Sequence, residues 1–483
     1  MATSFGIHVG NTSLCLAVSK DGKTDVVAAP TGDRTTPAVV SFTDTEIVVG
    51  LAGKGQRLRN PANTITNNKR WLTGSPEQED VEASLVKVVQ VEGGLVYEVD
   101  YQEKPLKTSP REVLAHLYRY LHDIADTHCS EVDQSNCVLT VPLDYTIEQR
   151  ALVSEIASEV GFKVVQCINE PAAACLAYGL GQEDQTEEET VLVFRAGGLT
   201  TDLAVVRVSG GCYTVLESVF LESCGGHQVT GALVKYLAGE FKAKYHEELG
   251  GKGRAKLATQ AETVKHVLST LDTAHCHVES LYDGMDFSSN VTRARFSNQV
   301  SSVLSDLLDP IEALLEKVGL EEDDITKVVL VGGTAKVVKL QSALENMFDE
   351  ADVLTSVAAD EVLAFGAAVQ ASLCSKDMGV GLGQKVMATG QGLVAKVQGQ
   401  EDELDLLAPG TPVPVKRAVS IKSVGESTTV EIMFGTLVLA TLTLETTPSA
   451  KLSLSLHVHR DGTTLACLQD KAAGSSTSVN LSA

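Results

Sequence analysis

Two stretches of this chain repeat one pattern: an apolar run, a four-residue turn of small and hydroxylated residues, and a second run that alternates apolar with polar. Phe5 to Val18 does so around Gly10-Asn11-Thr12-Ser13, and Val191 to Val206 around Gly197-Gly198-Leu199-Thr200. A glycine-bearing turn between alternating runs reads as a β-hairpin. Two such hairpins predict two related lobes. Between them the period switches back and forth. Asn136 to Val141 reads as a buried strand, and Ile147 to Val160 as a helix with Ile147, Ala151, Leu152, Ile156 and Val160 on its apolar face and Gly161 as its stop. Val164 to Ile168 reads as a strand, Ala172 to Tyr178 as a small-residue helix, and the acidic stretch Glu183 to Glu189 as a solvated loop. Beyond the second hairpin come a helix around Ala261 to Leu271 and the strand Lys327 to Val331, which runs through Gly332-Gly333-Thr334 into another helix. The character changes near Ser375. From there alternating Val, Leu and Thr dominate, as in Thr428 to Leu444 and Lys451 to Leu465, with Asp461-Gly462 as a hairpin turn. The chain therefore reads as α/β followed by a small all-β sandwich.

Its 483 residues suffice for about three units of ordinary domain size. The formal charge of −24 disfavours direct nonspecific binding to nucleic acid or anionic membrane, because phosphate would be repelled. No run approaches the ~20 apolar residues needed to span a bilayer. The amino terminus, lacking a basic and then apolar leader, points to the cytosol. Ten cysteines without a Cys-x-x-Cys pair read as reduced, buried thiols. His275-Cys276-His277 has no second ligand cluster nearby, so no metal site is expected from it.

A set of short segments then narrows the reading: Gly32 to Pro37, Asn68-Lys69-Arg70, Ile168 to Ala174, Ala177 to Gly179, Ser280 to Phe287, Thr292 to Phe296, Val328 to Gly333, Asp360-Glu361 and Gly366 to Ala368. Together they resemble the seventy-kilodalton heat-shock chaperone family. The resemblance implies an actin-like, two-lobed nucleotide-binding domain over 1–375, a linker over 376–388 and a truncated β-sandwich of the substrate-binding type over 389–483. The family's helical lid has no counterpart here, and Lys376 to Gly383 lacks the acidic-then-leucine pattern of the usual coupling linker. These departures look like the atypical branch that joins a zuotin-type J-domain protein in the cytosolic ribosome-associated complex.

The implied ligand is ATP. Glycine turns let backbone N–H groups approach phosphates closely, and Gly10, Asn11 and Thr12 with Gly197, Gly198 and Thr200 supply two such turns, although either alone could be a plain hairpin turn. Gly332-Gly333 after a strand suits adenosine or phosphate. By family position Gly225 and Gly226 form a further glycine pair, Glu262, Lys265 and Ser269 line the adenosine pocket from one helix face, and Asp360 lies beside it. Lys69 matches the lysine that orients the attacking water, Glu170 a carboxylate near the metal, and Thr200 a retained phosphate-side hydroxyl. Lys69 could instead be a surface residue and Glu170 a helix-start acid.

Two positions depart from the family. His8 and Arg195 stand where aspartates are expected, a change of formal charge from −2 to +1, or +3. Leu199 replaces a glycine at the turn, and His227 and Gln228 follow Gly225-Gly226 where acids are expected. Magnesium, if it accompanies ATP, is expected to lack a protein anchor, since it prefers hard oxygen ligands. Arg195 could act as counter-charge to the β- and γ-phosphates or point away into a salt bridge. ATP binding with weak or absent hydrolysis is the expectation, in a co-chaperone that partners the J-domain protein at the ribosome and assists nascent chains. An active, J-stimulated peptide-binding chaperone is the alternative. A sugar kinase of the same fold is disfavoured by the β-rich end.

Overall fold

The computed structural model describes residues 3–72, 84–91, 94–128, 132–182, 188–209, 212–376, 392–400, 403–408, 411, 414–434, 437–459 and 463–481. The expected linker, apart from Lys376, and the Asp461-Gly462 turn lie outside these residues, as does most of the acidic stretch from Glu183.

Two sheets with one shared topology build the lobes. The first runs in the order Lys163–Asn169, Asn136–Val141, Ser4–Val9, Ser13–Lys20, Lys23–Val26. The second runs Asp352–Leu354, Lys327–Val331, Glu188–Ala196, Thr201–Ser209, Cys212–Leu221. In each, the first three strands pair parallel and the last two add antiparallel. The repeated hairpins thus occupy the same place in both lobes: Ser4–Val9 with Ser13–Lys20, and Glu188–Ala196 with Thr201–Ser209. All six residues of Ser4–Val9 are buried, as expected of a central strand covered on both faces.

Two helices lock the lobes together. Glu170–Ala177 is buried at every position and packs on the second sheet, while Val362–Lys376 returns to cover Ser4–Val9, Ser13–Lys20 and Asn136–Val141 of the first. A Cβ on Gly366 would fall 1.8 Å from the Ala173 carbonyl oxygen, and one on Gly6 would fall 2.1 Å from the Ala368 nitrogen. The small residues are therefore what allow backbone to meet backbone at this crossing. Separate apolar cores fill the first lobe, the second lobe and this crossing.

The helix at Ile147–Val160 forms as expected, opened by a capping box in which the Thr146 hydroxyl accepts from the Gln149 N–H and the Gln149 side chain accepts from the Thr146 N–H. Its buried face differs from the expected one. Val153, Ile156 and Ala157 point inward, whereas Ile147 is 82% exposed and Ala151 faces solvent. The capping turn fixes where the helix starts, and packing against Pro110–His128 and Lys163–Asn169 decides which face turns inward, so Ile147 at its start is left outside. Gly332-Gly333 also differs: it opens a short 3-10 turn, Gly333–Lys336, and the α-helix begins only at Val338.

The C-terminal strands form two four-stranded antiparallel sheets. One has the order Glu403–Leu407, Leu393–Val397, Ser427–Phe434, Leu437–Glu445, and the other Val415–Lys422, Lys451–Val458, Thr464–Asp470, Ser475–Leu481. Strict alternation of burial along Lys451–Val458 supplies one inner face of the core they share. Cys212 of the second lobe belongs to that core, its thiol 3.8 Å from the Leu406 carbonyl. The β-domain is thereby seated on the edge of the lobe. No described helix is long and apolar enough to cross a membrane.

Candidate functional site

The two hairpin turns meet at the bottom of the cleft. A Cβ on Gly198 would stand 2.4 Å from the Thr12 hydroxyl oxygen, so the tips from opposite lobes touch only because residue 198 has no side chain. Each turn is closed the same way: the Gly10 N–H donates to the Ser13 carbonyl at 2.8 Å, and the Gly197 N–H to the Thr200 carbonyl at 2.9 Å. A third loop joins them, because the Thr334 hydroxyl donates to the Gly197 carbonyl at 2.8 Å and Gly332 abuts the Ala196 carbonyl. Gly225 and Gly226 form the start of the long helix Gly226–Tyr245, whose first N–H groups donate to the Gly197 and Gly198 carbonyls at 3.0 and 2.8 Å. Gln228 Oε1 accepts from the Gly225 N–H at 2.9 Å. The half-buried Leu199 sits at this junction. The Asn11 Oδ1 is buried without a hydrogen-bond partner, and rotating that amide by a half-turn would present a donor in its place.

Directly behind the turns lies a buried set of charges. Glu170, at the first position of its helix, receives the Lys69 ammonium at 3.1 Å on Oε1 and the Arg195 Nε at 2.6 Å on Oε2. The Nη1 of Arg195 pairs with the Asp202 carboxylate and lies 3.4 Å from the Thr200 hydroxyl. The end of the guanidinium lies beside the Gly197 turn, with Nη1 3.9 Å and Nη2 4.0 Å from where a Cβ of that residue would be. His8 completes the set. Its Nδ1 is 2.9 Å from the Thr140 hydroxyl and 3.9 Å from Glu170, and its Nε2 lies 3.2 Å from where a Gly10 Cβ would be.

Burial sets the protonation of these groups. Desolvation pushes His8 down to about 3; Glu170 pulls the other way, but Lys69 and Arg195 oppose its charging too, so the imidazole is neutral. Burial alone would push Glu170 up, but Arg195 and Lys69 hold its carboxyl at about 2. Burial works against the Arg195 charge, and Glu170 and Asp202 more than answer it. The buried lysine loses some of its basicity to desolvation, countered by Glu170. Lys69 is thus no surface residue, and Glu170 is more than a helix-start acid.

The remaining expected residues form a second group toward the cleft mouth. Lys265 donates to the Gly226 carbonyl at 3.1 Å and to the Thr230 hydroxyl at 2.9 Å. Glu262, on the same helix, is 3.5 Å from Lys54 of the other lobe. Asp360 pairs with Lys336 at 2.5 Å, and its neighbour Ala359 accepts from the Gly332 N–H at 2.6 Å. Ser269 donates to the Lys265 carbonyl at 3.3 Å and closes the end of its helix. The sequence reading passed over Asp202. The signal was available, because a four-residue turn closed on Ala196 and Thr201 sets Arg195 directly opposite Asp202, and an acid facing a base across a hairpin is a pair.

The arrangement fits a polyphosphate better than a metal. The two glycine turns touch, the Arg195 guanidinium lies beside the second, and Lys69 stands behind it on the far oxygen of Glu170. The carboxylates Glu170 and Asp202 are both already engaged by those cations, and among the described residues no group of three or more His, Cys, Asp or Glu could hold a metal ion.

The sequence profile of the Hsp70 protein family matches residues 4–382 of this chain. The chain is 36% identical to heat shock 70 kDa protein 14-B of Xenopus laevis, with 99% of both chains covered. It is 37% identical to heat shock 70 kDa protein 14 of Rattus norvegicus over 88% of this chain and 86% of that one. It is 36% identical to the Homo sapiens protein of the same name over the same shares.

Proposed function

The chain belongs to the Hsp70 family of ATP-binding chaperones, and from that premise we propose that it is a nucleotide-stabilised co-chaperone that binds ATP and hydrolyses it weakly or not at all. The observation that carries this reading is the state of the buried charges: Lys69 is paired with Glu170 behind the turns and Thr200 ends the second turn, but Arg195 lies between Glu170 and Asp202. Phosphoryl transfer depends on exact placement of counter-charge and nucleophile. With Glu170 held by two cations, a carboxylate that could organise a water or metal is already spent on Arg195, and loss of such a preorganised group costs about a hundredfold or more in rate. Binding needs the glycine turns and a guanidinium beside them, which are present.

The partner in this reading is a zuotin-type J-domain protein in the cytosol, with the ribosome and nascent chain reached through that complex. Similarity to heat shock 70 kDa protein 14 over nearly the full chain supports it, as does the charge of −24, which calls for a partner to bring the chain to RNA. A second reading, an ATP-driven peptide-binding chaperone stimulated by its J partner, is favoured by the edge strand Leu437–Glu445, where Leu437, Val438 and Leu439 are all exposed. ATP binding and phosphate release on the purified chain, with and without the J-domain protein, distinguish them. Tight binding with negligible release in both conditions supports the scaffold, and turnover that rises when the partner is added would replace it with the second reading.

A further inference from the structure

Hsp70 proteins generally bind nucleotide together with magnesium, and the donor set here does not suit that ion. Magnesium requires hard oxygen ligands and keeps several waters. Glu170 accepts from both Lys69 and Arg195, and Asp202 accepts from Arg195. The space beside them, lined by Glu170, Arg195, Asp202 and Leu143 among others, is about 20 Å3, room for roughly one water. A divalent ion entering it would sit against the Arg195 guanidinium.

We propose that the cleft takes the nucleoside triphosphate without a divalent cation, and that Arg195, steadied by Lys69 through Glu170, occupies the cation's electrostatic place. The geometry carries each part. Two arms of the guanidinium are fixed, Nε on Glu170 and Nη1 on Asp202, which sets the plane of the fork. The terminal nitrogens Nη1 and Nη2 lie 3.9 and 4.0 Å from where a Gly197 Cβ would be, which sets the end of the fork beside the turn where phosphate oxygens would lie against backbone N–H groups. Lys69 and Arg195 contribute +2 and Glu170 and Asp202 −2, so with His8 neutral the set has no net charge. It neither repels a polyphosphate nor invites a further cation. A guanidinium preset by two carboxylates meets a phosphate with little rotamer entropy left to lose. Asp202 and Glu170 thus act as positioning residues for Arg195.

This inference rests on the nucleotide reading, and one experiment separates the two. ATP affinity is measured by calorimetry on the full chain in excess magnesium and in EDTA, for the wild type, Arg195→Asp and Arg195→Lys. The wild type is expected to bind with affinities that agree within about threefold in the two buffers, less than 1 kcal/mol. Arg195→Asp adds a carboxylate beside Glu170 and Asp202, so it should lose about tenfold or more in EDTA and recover most of that in magnesium. Arg195→Lys keeps the charge but not the fork, and should weaken binding equally in both buffers. Manganese provides a readout independent of nucleotide: its spin-resonance spectrum and its effect on melting temperature should report an ion bound to Arg195→Asp and none bound to the wild type. Wild-type binding that collapses in EDTA, or an Arg195→Asp chain that binds in EDTA as the wild type does, overturns the inference while leaving the nucleotide reading intact. No ATP binding by the folded wild type in either buffer overturns the nucleotide reading itself.

Discussion

Arg195 is 8% exposed and answers two carboxylates at once, the buried Glu170 and the half-buried Asp202. Removing one member of such a set leaves uncompensated charge in a dry place, so Arg195→Ala is expected to cost about 3–5 kcal/mol in urea unfolding. The double change Arg195→Ala with Asp202→Ala should cost less than the sum of the two single changes, which a double-mutant cycle measures. His8 offers a sign that can be checked. Its pKa falls from 6.5 in the unfolded chain to about 3 when folded, so below pH 6.5 the unfolded state binds the extra proton and gains. Stability contributed by keeping His8 neutral is therefore complete above pH 6.5 and drains away as pH falls toward 3, by about 1.4 kcal/mol per unit. Between pH 6.5 and 4.5, above the range where Glu170 titrates, His8→Gln should show a shallower loss of stability with acid than the wild type; parallel curves would contradict a neutral His8.

At the level of single elements, backbone contacts and caps decide more than apolar pattern does. The helix Ile147–Val160 is opened by its Thr146–Gln149 box, and Thr146→Ala should cost about 1 kcal/mol, read as a lowered denaturation midpoint with unchanged slope. The exposed Ile147 should tolerate polar replacement within about 0.5 kcal/mol, the reverse of what its apolar pattern suggests. The crossing of Glu170–Ala177 with Val362–Lys376 has no spare room: the Cβ of Gly366→Ala would meet the Ala173 carbonyl at 1.8 Å. That variant is expected to lose about 1–3 kcal/mol or more. It should also shift Glu170 at the head of the same helix, so ATP binding weakens along with thermal stability.

For the molecule as a whole, the lobes are joined by the buried crossing below and by ion pairs at the rim: Lys54 to Glu262 at 3.5 Å, Arg70 to Glu222 at 3.7 Å, and Arg34 to Glu361 at 2.9 Å. Rim pairs of this exposure are worth roughly 0.2–1 kcal/mol each. Lys54→Ala should therefore speed release of a fluorescent ATP analogue by up to about fivefold without changing the fold, and wild-type release should quicken with added salt as the rim charges are screened. Stopped-flow measurement of the release rate in low and high salt checks both. At the other end, Arg417 is 6% exposed, near Cys212 where the β-domain meets the second lobe, and its Nε has no hydrogen-bond partner. The seat of the β-domain is thus a mixed apolar and charged contact rather than a purely greasy one.

The sequence by itself determined the two hairpins, the strands that pair beside them, the change to all-β character and the residue types that meet the cleft. These are properties of local period, of turn chemistry and of the charge each residue carries. It left open whether Lys69 was a surface residue, where the side chain of Arg195 went, and that Asp202 mattered at all. Those answers depend on residues far apart in the chain. Lys69 is buried because Glu170, a hundred positions on, arrives beside it, and Arg195 is held because one hairpin register and one distant helix start supply its two carboxylates. The phase of the helix Ile147–Val160 was decided the same way, by the lobe against which it packs. Local pattern specifies which groups are present, whereas the desolvation that fixes their protonation and partners exists only once the chain has closed around them.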